Sequence, residues 1–457
     1  MARVILINRY FYPDGAATSQ IATALSMALH EQGWTVDAIT SRQLYDDPDA
    51  DLPAIDRVRG VSIHRIWTTR MGRGHLAGRS FDYGSFYASA FCWLLWRARR
   101  GDVILALTDP PLISVPVALM ARLRGCTHIN WLHDLFPEIA RALEVLPAGR
   151  IYRTLLSLRN WSLRRAAANV AIGEGMAQHL LRQGAPGNRI VVIHNWSDGT
   201  AIAPVSSASN RLRAAWGLSG KFVAGYSGNL GRAHEYGTIL EAAEVLRNDP
   251  DIRFLFIGGG HLIRGLAAEA DRRALKNIII KPYEPRSRLG ESLSVPDLHL
   301  ISLLPMLEGL VVPSKFYGIA AAGRPAIFIG DQSGEISRLL RDGNCGTAVA
   351  VGDGARLARH IKHLHKHPAL CTRWGDNARA LLDLRFDQRL ALAQWHGLIE
   401  GLAARVAAPV PNALRPQETA GRTAEVVSGS RSPITMQLYA QHGRSKSAPT
   451  IDLAENA

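Results

Sequence analysis

KFVAGYSGNLGRAHEYGTILEAAEVLRNDPDIRFLFIGGG, residues 221–260, runs from an apolar strand through a glycine turn into a helix, then into a second strand that ends in three glycines. Phe222 to Tyr226 is a short continuous apolar run, as a strand buried on both faces requires. The same order opens the chain. Val4, Ile5, Leu6 and Ile7 form a buried run, Tyr12, Pro13, Asp14 and Gly15 break it, and Thr18 and Ser19 sit where a helix is capped. Ile21, Leu25, Ala28 and Leu29 then recur at helical spacing until Gly33 stops the helix. A strand–turn–helix pattern that restarts in mid-chain implies two folds with a cleft between them.

Further apolar runs fill both halves. Val36 to Thr40, Val103 to Leu107, Thr127 to Trp131, Asn169 to Ile172 and Ile190 to Ile193 are strands of the first. Arg253 to Ile257, Asn277 to Ile280, Leu298 to Leu303, Ala326 to Ile329 and Thr347 to Val351 belong to the second. Strands separated by helix-length stretches predict an α/β protein of two doubly wound Rossmann-like domains, each of about 200 residues. Asp198 to Asn210 is small, polar and aperiodic, so the boundary is set there, with domains over 1–205 and 206–385. Leu390, Leu392, Trp395, Leu398 and Leu402 make an amphipathic helix, about 386–405, expected to pack back on the first domain. Residues 406–457 have one aromatic, Tyr439, among many Pro, Ser, Gly and Ala, and read as a disordered tail.

The 457 residues are 47% hydrophobic, enough for large cores, and carry a formal charge of +14. The tail from Pro409 adds five basic and four acidic residues, so the excess sits on the folded body and points to acidic partners. Only seven of the basic residues are Lys. The Arg share reads either as genomic base composition or as selection for phosphate binding. Cys92, Cys126, Cys345 and Cys371 stand apart, with neither a CxxC pair nor His at metal-ligand spacing, which suits a reducing cytoplasm. The N-terminus lacks a signal-peptide pattern, and no stretch reaches the roughly 20 apolar residues of a spanning helix. The nearest is Phe86 to Trp96, followed by Arg97, Arg99 and Arg100. It reads as a domain helix with one buried face or as a segment that dips into an anionic bilayer. Helix-turn-helix, aromatic RNA-binding and zinc signatures are missing, so no nucleic-acid partner is expected.

Chemistry concentrates at strand ends. Asp14 and Gly15 lead into a helix N-terminus, where amides and the dipole attract anions, but a Gly-x-Gly-x-x-Gly dinucleotide fingerprint is absent. Ser227, Gly228, Asn229, Leu230, Gly231 and Arg232 combine amides with a guanidinium suited to phosphate. Gly258, Gly259 and Gly260 permit close approach of a ligand, or a plain tight turn. The richest cluster is EGLVVPSKFYGIAAAGRP, Glu308 to Pro325. Asp109 has no second acid beside it, and Asp46 and Asp47 read as a solvated loop, so no metal site is expected.

That cluster, with GYSGNLGR and FLFIGGG at their observed distances, resembles the donor-binding domain of family-4 (group 1) retaining glycosyltransferases of the GT-B fold. The form VVPSKFYGIAAAGRP is most similar to bacterial enzymes of O-antigen, colanic-acid and exopolysaccharide assembly, N-acetylfucosaminyl transferases among them. NRYFYPDGAATSQIA, ALTDPPL, WLHDLFPE and VIHNWSD extend the likeness through the first half, to about residue 405. The resemblance implies a hexosyl or N-acetylhexosaminyl transferase (EC 2.4) that uses a nucleotide-diphosphate sugar, UDP favoured. It needs no metal or other cofactor, and acts on a polyprenyl-diphosphate-linked saccharide at the inner face of an anionic cell membrane. Glu308 takes the donor-sugar position. Lys315 and Arg232 face the leaving diphosphate, with Ser314 at a helix start whose amides aim at phosphate. His133 occupies a sugar-contacting position after a strand end, with Asp134 and Glu138 toward the acceptor, although His-Asp-x-x-Pro also reads as a helix cap. Tyr283 and Glu284 stand where the base is contacted, or on a surface loop. Gly15, Ser227, Gly228, Asn229 and Gly259 complete the donor pocket, and Asn195 with Trp196 takes a hinge position. Two departures stand out. Gly318 replaces the second Glu that holds ribose, leaving the Asn229 region or Glu284 for that role. Asn229 and His234 stand where the family often has Arg and Lys. Gly318 favours an alternative, a non-catalytic scaffold of the polysaccharide machinery.

Overall fold

Val4, Ile5 and Ile7 have no exposed surface and Leu6 has 1%, so the first strand lies at the centre of a sheet, as its apolar run requires. The structure, a computed structural model, describes residues 3–72 and 76–407. In chain order the first half is β1 (Arg3–Ile7), α1 (Ala17–Glu31), β2 (Thr35–Ser41), β3 (Ile55–Val58), β4 (Val61–Ile66), α2 (Leu76–Arg97), β5 (Val103–Ala106), α3 (Ser114–Arg124), β6 (Thr127–Leu132), α4 (Glu138–Ala142), α5 (Arg150–Arg165), β7 (Ala168–Ala171), α6 (Glu174–Arg182) and β8 (Ile190–Val192). The second is α7 (Arg211–Ala215), β9 (Phe222–Ser227), α8 (Gly237–Val245), β10 (Ile252–Ile257), α9 (Ile263–Arg272), β11 (Ile278–Lys281), α10 (Leu289–Leu293), β12 (Leu298–Ser302), α11 (Lys315–Ala321), β13 (Ala326–Ile329), α12 (Glu335–Asp342), β14 (Gly346–Val349), α13 (Gly354–Lys366) and α14 (Pro368–Leu381). The long helix α15 (Gln388–Ala407) follows.

The sheets are separate. The first has order β3-β4-β2-β1-β5-β6-β7-β8 and the second β11-β10-β9-β12-β13-β14. Every pairing is parallel except the β3–β4 hairpin. All twelve expected strands are present within a residue or two of their bounds. The hairpin was not expected: β3 is an exposed edge and β4 alternates strictly, so neither shows a continuous apolar run. Arg59 and Gly60, both at positive φ, make its turn.

Topology dictates where ligands go. Strand order reverses between β1 and β5 in one sheet and between β9 and β12 in the other, and crevices open at the carboxyl ends of strands at such points. The chain from Ile193 to Asn210 has no regular element and links the halves. The return crossing is a π-helical turn, Leu382–Phe386. Ser197 N–H donates to Phe386 O at 3.2 Å and Gln388 N–H to Ser197 O at 3.0 Å. From there α15 lies on the first sheet beside α1 and β6, where Trp395 meets Trp131 at 4.5 Å between centroids. The expected tail, 406–457, lies outside the described residues from Ala408 on.

Phe86, Ala90 and Leu94 of α2 face the core with at most 1% exposure, whereas Trp96 is 80% exposed. The Phe86 to Trp96 segment is therefore a domain helix with one buried face, and its other face, with Ala88, Cys92, Leu95 and Trp96, meets solvent. No helix among the described residues is long and apolar enough to cross a membrane.

Trp395 is fully buried, so Trp395→Ala leaves a large cavity that undocks α15. A loss of about 3–5 kcal/mol is expected in urea unfolding, and a change below about 1 kcal/mol would mean that α15 does not hold the halves together.

Candidate active site

Two glycine turns build the second-domain floor. Gly228 and Gly258 follow β9 and β10 at φ of 113° and 131°. A Cβ on Gly258 would lie 2.5 Å from the Gly228 carbonyl oxygen, so only bare backbone lets the turns meet. Leu230 N–H donates to Gly259 O at 2.7 Å, and Asn229 fills the space beside Gly260, whose φ is 122°. Tyr283 lies over this floor, its ring carbons 3.0 and 3.2 Å from where Cβ atoms on Gly258 and Gly259 would stand. The ring remains 55% exposed, a flat face open to the cleft. Burial, then Asp46 and Tyr45 across the cleft, push its phenol upward.

Lys315 opens α11 behind Gly228, its Cε 3.2 Å from a Cβ built there. Its ammonium donates to His234 Nε2 at 3.1 Å and lies 5.2 Å from the Tyr226 ring centre. His234 Nδ1–H in turn donates to Ser302 O at 2.7 Å, which fixes the tautomer and leaves Nε2 as an acceptor. Burial lowers the Lys315 pKa to about 8. Burial and the lysine charge lower that of His234 to about 3. Lys315 forms no ion pair among the described residues, so the enclosed cation has only a neutral imidazole and a π face beside it. The Ser227 hydroxyl, buried at the end of β9, is also without a partner among the described residues. Ser314 is the N-cap residue of α11 with no side-chain cap bond. Arg232 stands exposed on the neighbouring turn.

Glu308 is held differently. Its Oε1 accepts from Glu335 N–H at 2.8 Å, at the start of α12, and Gly334 is bare where a Cβ would lie 2.5 Å from Oε2. Burial, with Glu335 and Asp331, raises its pKa. Glu335 reaches into the first domain, accepting from Glu174 N–H at 3.1 Å and Gly175 N–H at 2.9 Å at the start of α6. The sequence reading missed Glu335 because a Glu at a helix start is ordinary; nothing local shows that its carboxylate serves another helix.

The first domain meets this cluster through backbone. Leu135 N–H donates to Leu310 O at 3.1 Å, and Asp134 bridges Val311. His133 and Asp134 are thereby threaded beside the loop that joins Glu308 to Lys315. His133 is 6% exposed, tilted on Trp131 at 5.0 Å, and burial lowers its pKa to about 3, so it is a neutral ring. Asp134 opens to solvent on the cleft floor. The protein around it and the like charge of Asp109 push its carboxyl up to about 6. Glu138, read as facing the acceptor, is instead buried in an ion pair with Arg159 and contacts His179 at 3.2 Å. Gly15 lies on an open turn with nothing within 4 Å of its Cβ position, and its carbonyl accepts from Gln20 at 2.6 Å. Glu284 pairs with Arg288 at 3.4 Å. Gly318 faces Leu293, 3.3 Å from its Cβ position.

Three comparisons bear on this geometry. The family described as "Glycosyl transferase 4-like domain" matches residues 17–196, and "Glycosyl transferases group 1" matches residues 209–381. The chain is 29% identical over 269 residues to the probable glycosyltransferase WbjE of Pseudomonas aeruginosa, covering 59% of this chain and 67% of that protein. It is 26% identical to the putative colanic acid biosynthesis glycosyl transferase WcaI of Escherichia coli, covering 57% and 65%. Alignment thus spans about two thirds of each relative's length. Among solved structures, Anabaena HepE with UDP-glucose superposes with a TM-score of 0.66 at 15% identity, covering 88% of this chain and all of that one. That likeness shows the fold, GT-B. With one family matched in each half, the chain belongs to the GT-B glycosyltransferases that join a glycosyl transferase 4-like domain to a group 1 domain.

Proposed function

We propose that this protein transfers a hexosyl or N-acetylhexosaminyl group, with retention and without a metal, from a nucleoside diphosphate sugar, UDP favoured, to a lipid-linked saccharide of bacterial surface polysaccharide. The carrying observation is the ammonium of Lys315, enclosed beside Gly228 with no carboxylate to neutralise it. An enclosed cation next to bare glycine backbone suits a diphosphate, which supplies the missing charge and accepts from the turn. Tyr283 offers its open face to a base, and the HepE structure holds UDP-glucose on the same fold. The likeness to WcaI, named for colanic acid biosynthesis, supports the polysaccharide setting.

In this reading the acceptor hydroxyl oxygen bonds to the anomeric carbon on the face that the diphosphate leaves. The bond from that carbon to the β-phosphate oxygen breaks, and the hydroxyl proton passes to the departing phosphate. Lys315 and Arg232 stabilise charge on the leaving group. Glu308, anchored on the α12 N-terminus, receives sugar hydroxyls. Asp134 orients the acceptor hydroxyl from the first domain. Gly318 favours a second reading, a scaffold without turnover; it offers no carboxylate to the ribose, whose contacts fall to the Asn229 region or Glu284.

Calorimetry with UDP is the direct test. Lys315→Met is expected to weaken binding at least about 30-fold, and Arg232→Gln, at an exposed site, by no more than about fivefold. No UDP binding by the unaltered protein would sink the donor assignment. Because Lys315 must be protonated in the complex and its free pKa is about 8, affinity is expected to level off below that pH and to fall by up to about tenfold per pH unit above it; a flat profile to about pH 10 would remove Lys315 from the diphosphate. Asp134→Asn is expected to lower kcat by about 100-fold while UDP affinity stays unchanged. UDP release read in the presence of acceptor separates the enzyme from the scaffold.

A further inference from the structure

Helices α2, α3 and α5 lie side by side, α2 against α3 and α3 against α5. Between α3 and α5 runs an open groove of about 1010 Å³, floored by Val115, Pro116, Leu119, Leu158 and Trp161, with Arg150 and Arg153 on its rim. Leu119 and Leu158 are each about two-fifths exposed, and Ile151 near the start of α5 and Leu123 and Trp96 near the ends of α3 and α2 are exposed by 68%, 62% and 80%. Soluble surfaces scatter such residues singly; here Leu119 and Leu158 share one groove, and the other three lie on the same three helices.

The charge around them has one sign. α3 and α5 contain no acidic residue, and the one in α2, Asp82, is buried against Arg9. Exposed Arg97, Arg99 and Arg100 follow or end α2, Arg122 and Arg124 end α3, and Arg150 and Arg153 begin α5. None of these seven guanidiniums forms an ion pair among the described residues, whereas the arginines of α9, Arg272 and Arg273, are bound to Glu269. An apolar groove framed by unneutralised arginines is complementary to an anionic lipid surface, whose headgroups meet guanidinium while a hydrocarbon chain lies in the groove.

We infer that the α2–α3–α5 face docks the protein on an anionic bilayer leaflet, with one lipid chain held between α3 and α5. This assignment rests on the reading that the acceptor is lipid-linked at a membrane. Val115 and Pro116, on the groove floor, follow directly on the Asp109–Leu112 loop at the carboxyl end of β5, so the groove begins at the edge of the cleft. Docking by this face brings a membrane-borne acceptor to the first-domain side of the site.

Co-sedimentation of the full chain with phosphatidylcholine vesicles, with and without added phosphatidylglycerol, tests it. The unaltered protein is expected to sediment only with the anionic vesicles. Leu119→Asp with Leu158→Asp is expected to weaken this at least about tenfold, and Arg150→Gln or Arg153→Gln by about fivefold each. Val245→Asp, an exposed site on α8, serves as a control expected to leave sedimentation unchanged, and UDP affinity is expected to stay the same in every variant. Sedimentation of the groove variants equal to that of the unaltered protein would overturn the choice of face while sparing the membrane reading. Failure of the unaltered protein to bind any vesicle would overturn both and leave the donor site standing. A dimer in solution that Leu158→Asp dissolves, without vesicle binding, would make a second copy the occupant.

Discussion

The ammonium of Lys315 sits where protein has displaced much of its water, and the way that charge is held governs the rest of the second-domain cleft. Desolvation penalises the charged form and lowers the pKa to about 8. A carboxylate beside it would remove the penalty and also fill the place of any anionic ligand. The structure uses His234 instead, held in one tautomer by the Ser302 carbonyl and kept neutral by burial and by the lysine itself. A neutral acceptor orients the ammonium without cancelling it. The site therefore stays electrically incomplete, as a site for a charged ligand must.

The glycines follow from the same requirement. For the lysine to reach the end of β9 from α11, the turn it passes must have no side chain, and Gly228 has none. The second turn must approach the first to complete the floor, and Gly258 meets the Gly228 carbonyl at a distance that excludes a Cβ. Such positions are dictated by close approach and positive φ, which is why GYSGNLGR and FLFIGGG stand out so clearly as text.

What the sequence made legible divides along this line. Parallel strands write themselves as apolar runs, even where β8, β11 and β14 close a sheet, and twelve of the fourteen strands among the described residues were read that way; β3 is half exposed and β4 alternates, so neither carries a run. Lys315 and the glycine turns were legible because their constraint is local. His234 was noticed only as a departure, since its role depends on Ser302, which the fold brings from 68 residues away. Glu138 was misassigned for the same reason: its partner Arg159 lies on another helix.

Glu308 and Glu335 show how the halves become one site. Each carboxylate accepts amide hydrogens at the start of a helix that is not its own: Glu308 serves α12, and Glu335, the first residue of α12, serves α6 in the other domain. A helix N-terminus favours negative charge, yet burial raises both pKa values, helped by the like charge of Glu335 at Glu308 and of Glu174 at Glu335. The two effects oppose, so each carboxylate is held by directional hydrogen bonds rather than by a counter-charge. Moving α6 away would strip Glu335 of two donors, and that would disturb the helix start on which Glu308 rests. The position of the Glu308 carboxylate thus depends on contact between the domains, and the arrangement around it is complete only while they stay together.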